Sequence, residues 1–197
     1  MVESYKKVID FDNINSALII VDVQKAFLDK DYPGLKRNNP DAEKLCGTIL
    51  AKWRKLNLPV IHIRHSSTNP SSKLHKSKPG FLFNDFVIPL ESENVLTKNV
   101  NSGFIGTNLS TILNDLNVTS LVFMGMTTNH CISTTVRMSG NLGYKTYLIS
   151  DATAAYNTLG LDGKMIDCEI IYNTSLANLS QEFATILSSK ELFKLLN

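Results

Sequence analysis

The fold of this chain is indicated first by residues 121–131, which read LVFMGMTTNHC. The apolar start of this stretch predicts a buried strand that ends near Gly125. A threonine turn follows, and Cys131 then lies where a helix begins. Because the N–H groups at a helix N-terminus favour negative charge, we expect the Cys131 thiol to be shifted toward the reactive thiolate. Free cysteine is also a common core residue, and that alternative stays open at this point.

Two more segments place a charged residue directly after a strand. Residues 17–22 are an apolar run that closes with Asp22, and residues 95–98 are a short strand that closes with Lys98. The predicted strands cover residues 17–22, 58–63, 95–98, 121–125, 145–149 and 183–187. Their alternation with helices predicts one domain over residues 1–197, a doubly wound three-layer α/β/α sandwich with a mostly parallel six-stranded sheet.

Helical periodicity is found between these strands. The predicted helices cover about residues 39–56, 107–116, 131–142, 161–179 and 190–196. Asn39 and Thr107 are the expected N-caps of the first two helices. Cys46 lies beside the apolar stripe of the first helix and is predicted to be a core residue. Residues 64–94 have no strong periodicity, which is typical of a functional loop, a lid or an oligomer contact.

Composition excludes several classes of protein. The chain has 197 residues with 43% hydrophobic and 19% charged residues, which is ordinary for a globular domain. A net charge of +2 from 20 basic and 18 acidic residues favours neither nucleic acid nor an anionic membrane as a partner. The start lacks the apolar core of a secretory signal, and no apolar run reaches about 18 residues, so a cytoplasmic protein is expected. Three widely spaced cysteines predict free thiols, without a disulfide framework or a zinc site.

Asp22, Lys98 and Cys131 are expected at one edge of the sheet, because each follows the carboxyl end of a predicted parallel strand. A carboxylate can take the proton of a thiol and later deliver it to a leaving amine. A lysine beside it favours negative charge. Singly, the aspartate could cap a turn and the lysine could be solvent-exposed, so it is their joint position that points to a catalytic site.

Three blocks resemble the signatures of the isochorismatase-like cysteine hydrolases. They are residues 17–27 (ALIIVDVQKAF), residues 98–107 (KNVNSGFIGT) and residues 125–131 (GMTTNHC). The similarity continues through residues 140–155. The resemblance implies that Cys131 is the nucleophile, Asp22 the general acid/base and Lys98 the third member of a catalytic triad.

The same resemblance implies a mechanism and an assembly. A cis peptide bond between Met126 and Thr127 would bring the N–H groups of Thr127 and Cys131 together as an oxyanion hole. The implied activity is hydrolysis of a small amide-type C–N bond through a thioester. The implied partners are a small-molecule substrate and a second copy of the chain, as a homodimer or a higher homo-oligomer.

The resemblance to the nicotinamidases of this family is incomplete. Where they carry metal-binding residues after the second strand, this chain has His65, Ser66 and Ser67, so we expect a site without metal or other cofactor. Ligation of a metal by His65 and His75 is the alternative, although no carboxylate lies near them in the sequence.

The pocket is predicted to be lined by Phe27, His65, Phe104 and Asn129. Ordinary core packing is the alternative for each phenylalanine. His130 precedes the cysteine directly, and neighbours on a helix point in different directions, so a Cys–His dyad is not expected. His62 alternates within a strand and is predicted to be a core residue. Two other functions remain open, cleavage of a vinyl ether as in isochorismate and a non-catalytic binding role that kept the fold.

Overall fold

The computed structural model describes residues 15–28 and 36–196. The strands are β1 (Ser16–Val21), β2 (Val60–His65), β3 (Asn94–Lys98), β4 (Ser120–Met126), β5 (Lys145–Ala154), β6 (Thr158–Leu159), β7 (Met165–Ile166) and β8 (Thr185–Leu187). The α-helices are α1 (Ala42–Lys55), α2 (Leu109–Asp115), α3 (Ser133–Asn141), α4 (Cys168–Leu179) and α5 (Ser189–Leu195). Six strands form one sheet in the order β3-β2-β1-β4-β5-β8, and each neighbouring pair is parallel. The predicted parallel α/β sandwich is confirmed.

Alternate side chains of the sheet enter two hydrophobic cores. Residues such as Ile19 and Phe123 pack on one face against α2, α3 and α4. Residues such as Leu18 and Val122 pack on the other face against α1 and α5. Because the central strands are covered on both faces, β1 and β4 are buried along their whole length. Burial of each large apolar side chain stabilises the fold by about 1.5–3 kcal/mol. This packing holds the strand ends in fixed positions relative to one another.

The first helix begins later than its sequence suggests. Asn39 is not its N-cap, because Asn39 has a φ of 42° and its amide donates to the carbonyls of Ser150 and Thr153. Asp41 is the N-cap residue of α1. Cys46 lies in the core, as predicted, with no exposed surface. The Asn39 side chain therefore joins this loop to β5 instead of starting the helix.

The predicted helix over residues 161–179 is wrong in its first part. Strands β6 and β7 form an antiparallel hairpin there, and the helix begins only at Cys168. Gly163 has a φ of 77°, a left-handed conformation that Gly adopts at no steric cost. The carboxylate of Asp167 accepts from the N–H of Glu169 and caps the helix at its true start.

At the second helix, the cap lies one residue from its predicted place. Asn108 is the N-cap of α2, but the hydroxyl of Thr107 accepts from the N–H of Leu109 at 3.3 Å. Gly143, which follows α3, has a φ of 88°. The region between β2 and β3 is the long loop expected from the sequence, with short 3-10 turns at Pro79–Phe81 and Asp85–Val87. Within the described part of the chain, no helix is long and apolar enough to span a bilayer.

Candidate active site

The turn after β4 is shaped by close packing against β1. Gly125 has a φ of 129°, and a Cβ atom there would lie 1.9 Å from the carbonyl oxygen of Val21. Only glycine fits this approach. The peptide bond between Met126 and Thr127 is cis. The Thr127 carbonyl accepts from the N–H groups of His130 and Ile132, which closes a π-helical turn that leads into α3.

Asp22, Lys98 and Cys131 meet at the carboxyl edge of the sheet. The Lys98 Nζ atom lies 2.6 Å from Asp22 Oδ2 and 3.2 Å from Cys131 Sγ. Asp22 has a φ of 54° at the end of β1, and its N–H donates to the carbonyl of Ile63 on β2. The three side chains come from β1, β3 and the turn after β4, so the parallel sheet brings them together as the sequence suggests.

Burial dominates the electrostatics of this cluster. Asp22 is 1% exposed and Lys98 is 2% exposed. The pKa of Asp22 is raised, because burial disfavours the charged form more than the Lys98 ammonium favours it. The pKa of the Cys131 thiol is raised to about 12, first by burial and then by the negative charge of Asp22. Lys98 acts on the thiol in the opposite direction and lowers its pKa.

The resting cysteine is therefore a thiol, and the expectation that the helix N-terminus shifts it toward thiolate is wrong. Burial and a neighbouring carboxylate outweigh any favourable contribution from the turn that precedes α3. A carboxylate oxygen of Asp22 lies within 4.8 Å of the Cys131 sulfur.

Three potential metal ligands in this cluster lie beside a buried cation. Ligand atoms of Asp22, His65 and Cys131 all lie within 4.8 Å of one another. However, the Lys98 ammonium contacts all three, since its Nζ atom lies 3.4 Å from His65 Nδ1 in addition to the two contacts above. A divalent cation at these ligands would lie beside a buried positive charge. His75, the other candidate ligand, instead bonds Ser77 through its Nδ1 atom at 2.8 Å.

The predicted lining residues differ in their surroundings. Phe27 is 7% exposed and packs with Met126 in a small hydrophobic cluster beside the site. Phe104 is 8% exposed and belongs to a main core, where it stacks on Tyr144 with ring centroids 6.1 Å apart. Asn129 is half-buried in the cysteine turn. Phe104 is therefore part of the hydrophobic core.

The histidines near the site have separate roles. His65 ends β2, and its pKa is lowered, first by burial and then by the charge of Lys98, so its ring is neutral beside that ammonium. The Nδ1 atom of His130 lies 3.1 Å from the hydroxyl of Thr127. His62 is fully buried, as predicted, and its Nε2 atom lies 2.9 Å from Glu93.

Three residues that the sequence did not single out join the site. Asn101 places its Oδ1 atom 3.8 Å from Cys131 Sγ. The buried hydroxyl of Thr135 donates to the Cys131 carbonyl at 2.6 Å and accepts from the N–H of Gly103 at 3.0 Å. The Gln24 amide donates to the carbonyl of His65, whose own N–H donates back to Gln24. Gln24 and Asn101 lie within two of the three blocks that resemble the family signatures, and this position was the available signal.

Residues 16–191 match the family model of the isochorismatase domain. An uncharacterised isochorismatase family protein of Bacillus subtilis, YrdC, is 50% identical over 176 residues, which cover 89% of this chain and 93% of that protein. A crystal structure of an isochorismatase-family protein from Chromobacterium violaceum has a TM-score of 0.89 and 34% identity, with 94% of this chain and 95% of that chain covered.

A relative with a stated activity is also found. A streptothricin hydrolase of Streptomyces noursei is 31% identical over 143 residues, which cover 72% of this chain and 50% of that enzyme. The chain belongs to the isochorismatase family and is a hydrolase of the isochorismatase-like superfamily.

Proposed function

We propose that this hydrolase cleaves the C–N bond of a small amide, with Cys131 as nucleophile, Asp22 as general acid/base and Lys98 as the cation that orients both. The observation that carries the proposal is the position of the Lys98 ammonium, which contacts the carboxylate at 2.6 Å and the sulfur at 3.2 Å. A nitrogen leaving group needs a proton as the bond breaks, and the carboxylate that has just taken the thiol proton can supply it.

The proposed reaction has two halves. In the first, the Cys131 thiol proton moves to Asp22 while sulfur bonds the acyl carbon, and the same proton then passes to the nitrogen as the C–N bond breaks. Ammonia or an amine leaves, and a thioester remains. In the second, Asp22 takes a proton from water, the resulting hydroxide attacks the thioester, and the C–S bond breaks. The proton on Asp22 returns to sulfur, which restores the starting state.

In the transition state the carbonyl oxygen of the substrate becomes negatively charged, and hydrogen-bond donors are needed to stabilise it. We assign this role to the backbone N–H groups of Thr127 and Cys131, which lie at the two ends of the cysteine turn. Loss of one such donor typically costs about 2.7–4 kcal/mol in transition-state free energy. His65, Phe27, Phe104 and Asn129 are the proposed pocket residues. Since Lys98 already supplies a buried positive charge, the proposed reaction uses no metal.

The homo-oligomer stays a prediction. We expect a homodimer or a larger assembly of identical chains in solution. Size-exclusion chromatography with light scattering measures this mass directly, and a monomer at micromolar concentration would contradict it.

The proposed function is tested with a panel of small amides, ureas and lactams scored by ammonia release. Wild-type protein should turn over at least one compound, and Cys131→Ala should fold normally and show no turnover. Addition of hydroxylamine during turnover should yield the hydroxamate of the acyl group, because it intercepts a thioester. Mass spectrometry of a rapidly quenched reaction should locate the acyl group on the peptide that contains Cys131.

The matched control is Cys168→Ala, which removes a different buried thiol, 1% exposed, at the start of α4. This variant should keep wild-type turnover. Hydrolysis by Cys131→Ala at the wild-type rate would exclude the thioester mechanism. Turnover of a vinyl ether with no activity on any amide would favour the alternative reaction of the family.

A further inference from the structure

A pocket of about 460 Å³ has Lys98 of the proposed triad in its lining. Its lining residues are Ser66, Ser67, Thr68, His75, Lys76, Thr97, Lys98, Asn99 and Gly106. The size suits a small ligand or part of one. The lining includes four residues with hydroxyl side chains, one histidine and two lysines, and none of the described lining residues is acidic.

The pocket is joined to the catalytic cluster through the main chain. The N–H of Ser66 donates to the carbonyl of Lys98 at 2.7 Å, so the residues that follow β2 and β3 are held together. His65 and Lys98, which contact each other in the catalytic cluster, directly precede Ser66 and Asn99 in the pocket lining. A substrate that reaches the sulfur can therefore extend from the cluster toward this pocket.

The loop that carries most of the pocket is anchored at both ends. The buried Gln24 amide donates to the carbonyls of His65 and Phe81, at 3.0 and 2.9 Å, and so joins the two stems of the loop to the end of β1. Midway, Leu74 is 8% exposed and packs in the same cluster as Phe27 and Met126. The loop over residues 66–81 thus lies against the wall of the active site in a defined position.

All charged residues in and next to this loop are basic. Residues 64–84 contain Arg64, Lys73, Lys76 and Lys78 and no aspartate or glutamate, although the whole chain carries nearly equal numbers of basic and acidic residues. Arg64 stacks over the ring of Phe81, with its guanidinium carbon 4.3 Å from the ring centroid. Lys76 lines the pocket and is exposed. A concave site lined by cations attracts anions and raises their local concentration.

We propose that this pocket binds an anionic group of the substrate, a carboxylate or a phosphate, and that Lys76 supplies its charge. The proposal rests on the proposed amide hydrolysis and names the substrate class, an amide with a second, negatively charged end. The hydroxyls of Ser66, Ser67 and Thr68 supply the remaining donors. Charge-assisted hydrogen bonds of this kind select ionised ligands over neutral ligands of equal size.

The test compares succinamate with butyramide, two amides of similar length that differ in a terminal carboxylate. Wild-type protein should prefer succinamate in kcat/KM by about tenfold or more, the order expected for a charge-assisted hydrogen bond. Lys76→Gln should lower this ratio about tenfold. Lys190→Gln, at an exposed lysine in α5, is the matched control and should keep the wild-type ratio.

A second measurement does not require turnover. Each amide is tested for protection of Cys131 from iodoacetamide at pH 9, with the modified peptide measured by mass spectrometry. Succinamate should protect more strongly than butyramide at equal concentration, and this difference should be lost in Lys76→Gln. Failure to hydrolyse either amide would count against the proposed function for these compounds, while the protection experiment would still decide whether the pocket binds an anion.

The two possible anions are distinguished with 3-phosphonopropionamide in both assays. Stronger protection than with succinamate assigns the pocket to phosphate, and weaker protection assigns it to carboxylate. Equal behaviour of the charged and neutral amides in wild-type protein would overturn the proposal. A charge preference that survives Lys76→Gln unchanged would also overturn it.

Discussion

The ammonium of Lys98 lies 2.6 Å from the carboxylate of Asp22, although 76 residues separate the two in the chain. Both side chains are almost fully buried, at 0% and 1% exposure. Oδ1 of Asp22 has no hydrogen-bond partner among the described groups. The Lys98 ammonium, which bonds Oδ2, is therefore the main group that stabilises the buried carboxylate. Each charge is tolerated in the interior mainly because the other is present.

Removal of one partner should destabilise the fold. We expect Lys98→Met to lower the free energy of unfolding by about 3–5 kcal/mol, because a buried carboxylate is left without a counter-charge. Urea denaturation followed by circular dichroism measures this. The double variant Lys98→Met with Asp22→Leu should recover most of the loss, since neither charge remains.

The matched control for this experiment is the exposed pair of Lys36 and Asp167, whose atoms lie 2.7 Å apart. Solvent screens this pair, so Lys36→Met should change the stability little. Equal effects of Lys36→Met and Lys98→Met would contradict the argument from burial.

The state of the cysteine leads to a prediction for chemical labelling. Because the pKa of Cys131 is raised to about 12, carboxamidomethylation near pH 8 should be slow and should increase steadily with pH. Asp22→Asn removes a negative charge that contributes to this shift, so it should accelerate labelling of Cys131 while it abolishes turnover. Slower labelling in Asp22→Asn would show that the carboxylate activates the resting thiol instead.

The raised pKa of Asp22 also sets the acid limb of the pH–rate profile. Asp22 must be ionised to accept the thiol proton, so kcat/KM should fall as the pH falls through its pKa. The midpoint should lie above 3.8, the ordinary value for this carboxyl, because burial raises the pKa. A profile that stays flat down to pH 4 would contradict the assignment of Asp22 as the base.

Thr135 is expected to position the nucleophile. Its hydroxyl joins the Cys131 carbonyl to the N–H of Gly103, so Thr135→Val keeps the shape but loosens the cysteine turn from the turn after β3. We expect kcat to fall about tenfold or more with KM less affected, because small displacements of a nucleophile are costly. Thr135→Ser should restore most of kcat. A variant series in which stability changes but kcat does not would contradict this positioning role.

His62 should make the fold sensitive to mild acid. Its pKa is lowered, mainly by burial, although Glu93 beside it acts in the opposite direction and Arg54 adds to the lowering. The stability due to neutral His62 is therefore complete above pH 6.5 and is lost as the pH falls below that value, because the unfolded chain takes up the proton first. The pKa of Glu93 is lowered to about 2, so its own contribution changes only at lower pH.

This effect is measured as the difference in the free energy of unfolding between pH 7 and pH 5.5. The difference should be smaller in His62→Gln than in wild type, whatever the overall stability of that variant. His75→Gln, on the half-exposed loop, is the control and should keep the wild-type difference. An unchanged difference in His62→Gln would assign the acid sensitivity to other groups.

The sequence predicted the sheet and the meeting of Asp22, Lys98 and Cys131 because both depend on strand ends. Each strand is marked by an apolar run, and the end of each run carries a polar residue of distinct chemistry. The hairpin at β6 and β7 was missed because its apolar residues can also be placed on a helix face. The Asp-Gly pair at residues 162–163 was the local signal for a turn.

The protonation state of the cysteine could not be predicted in the same way. It depends on the depth of burial and on the distance of Asp22, and neither has a periodicity in the sequence. The role of Thr135 was hidden for a similar reason, since a threonine inside a helix gives no indication of which turn its hydroxyl reaches. Asn39 was misassigned because a good N-cap residue can equally bond a distant strand.

Gln24 anchors both ends of the segment over residues 66–81. The residues proposed to bind the substrate anion therefore lie on a different part of the chain from the residues proposed to react. The residues that contact the sulfur come from the strand ends and nearby turns. The segment over residues 66–81 is attached to them through the Gln24 carboxamide, the Ser66 N–H and packed Leu74. Insertions, deletions or exchanges within that segment can leave the reacting atoms in place. Such a division lets a lineage acquire new substrates by divergence of a single loop, without rebuilding its catalytic centre.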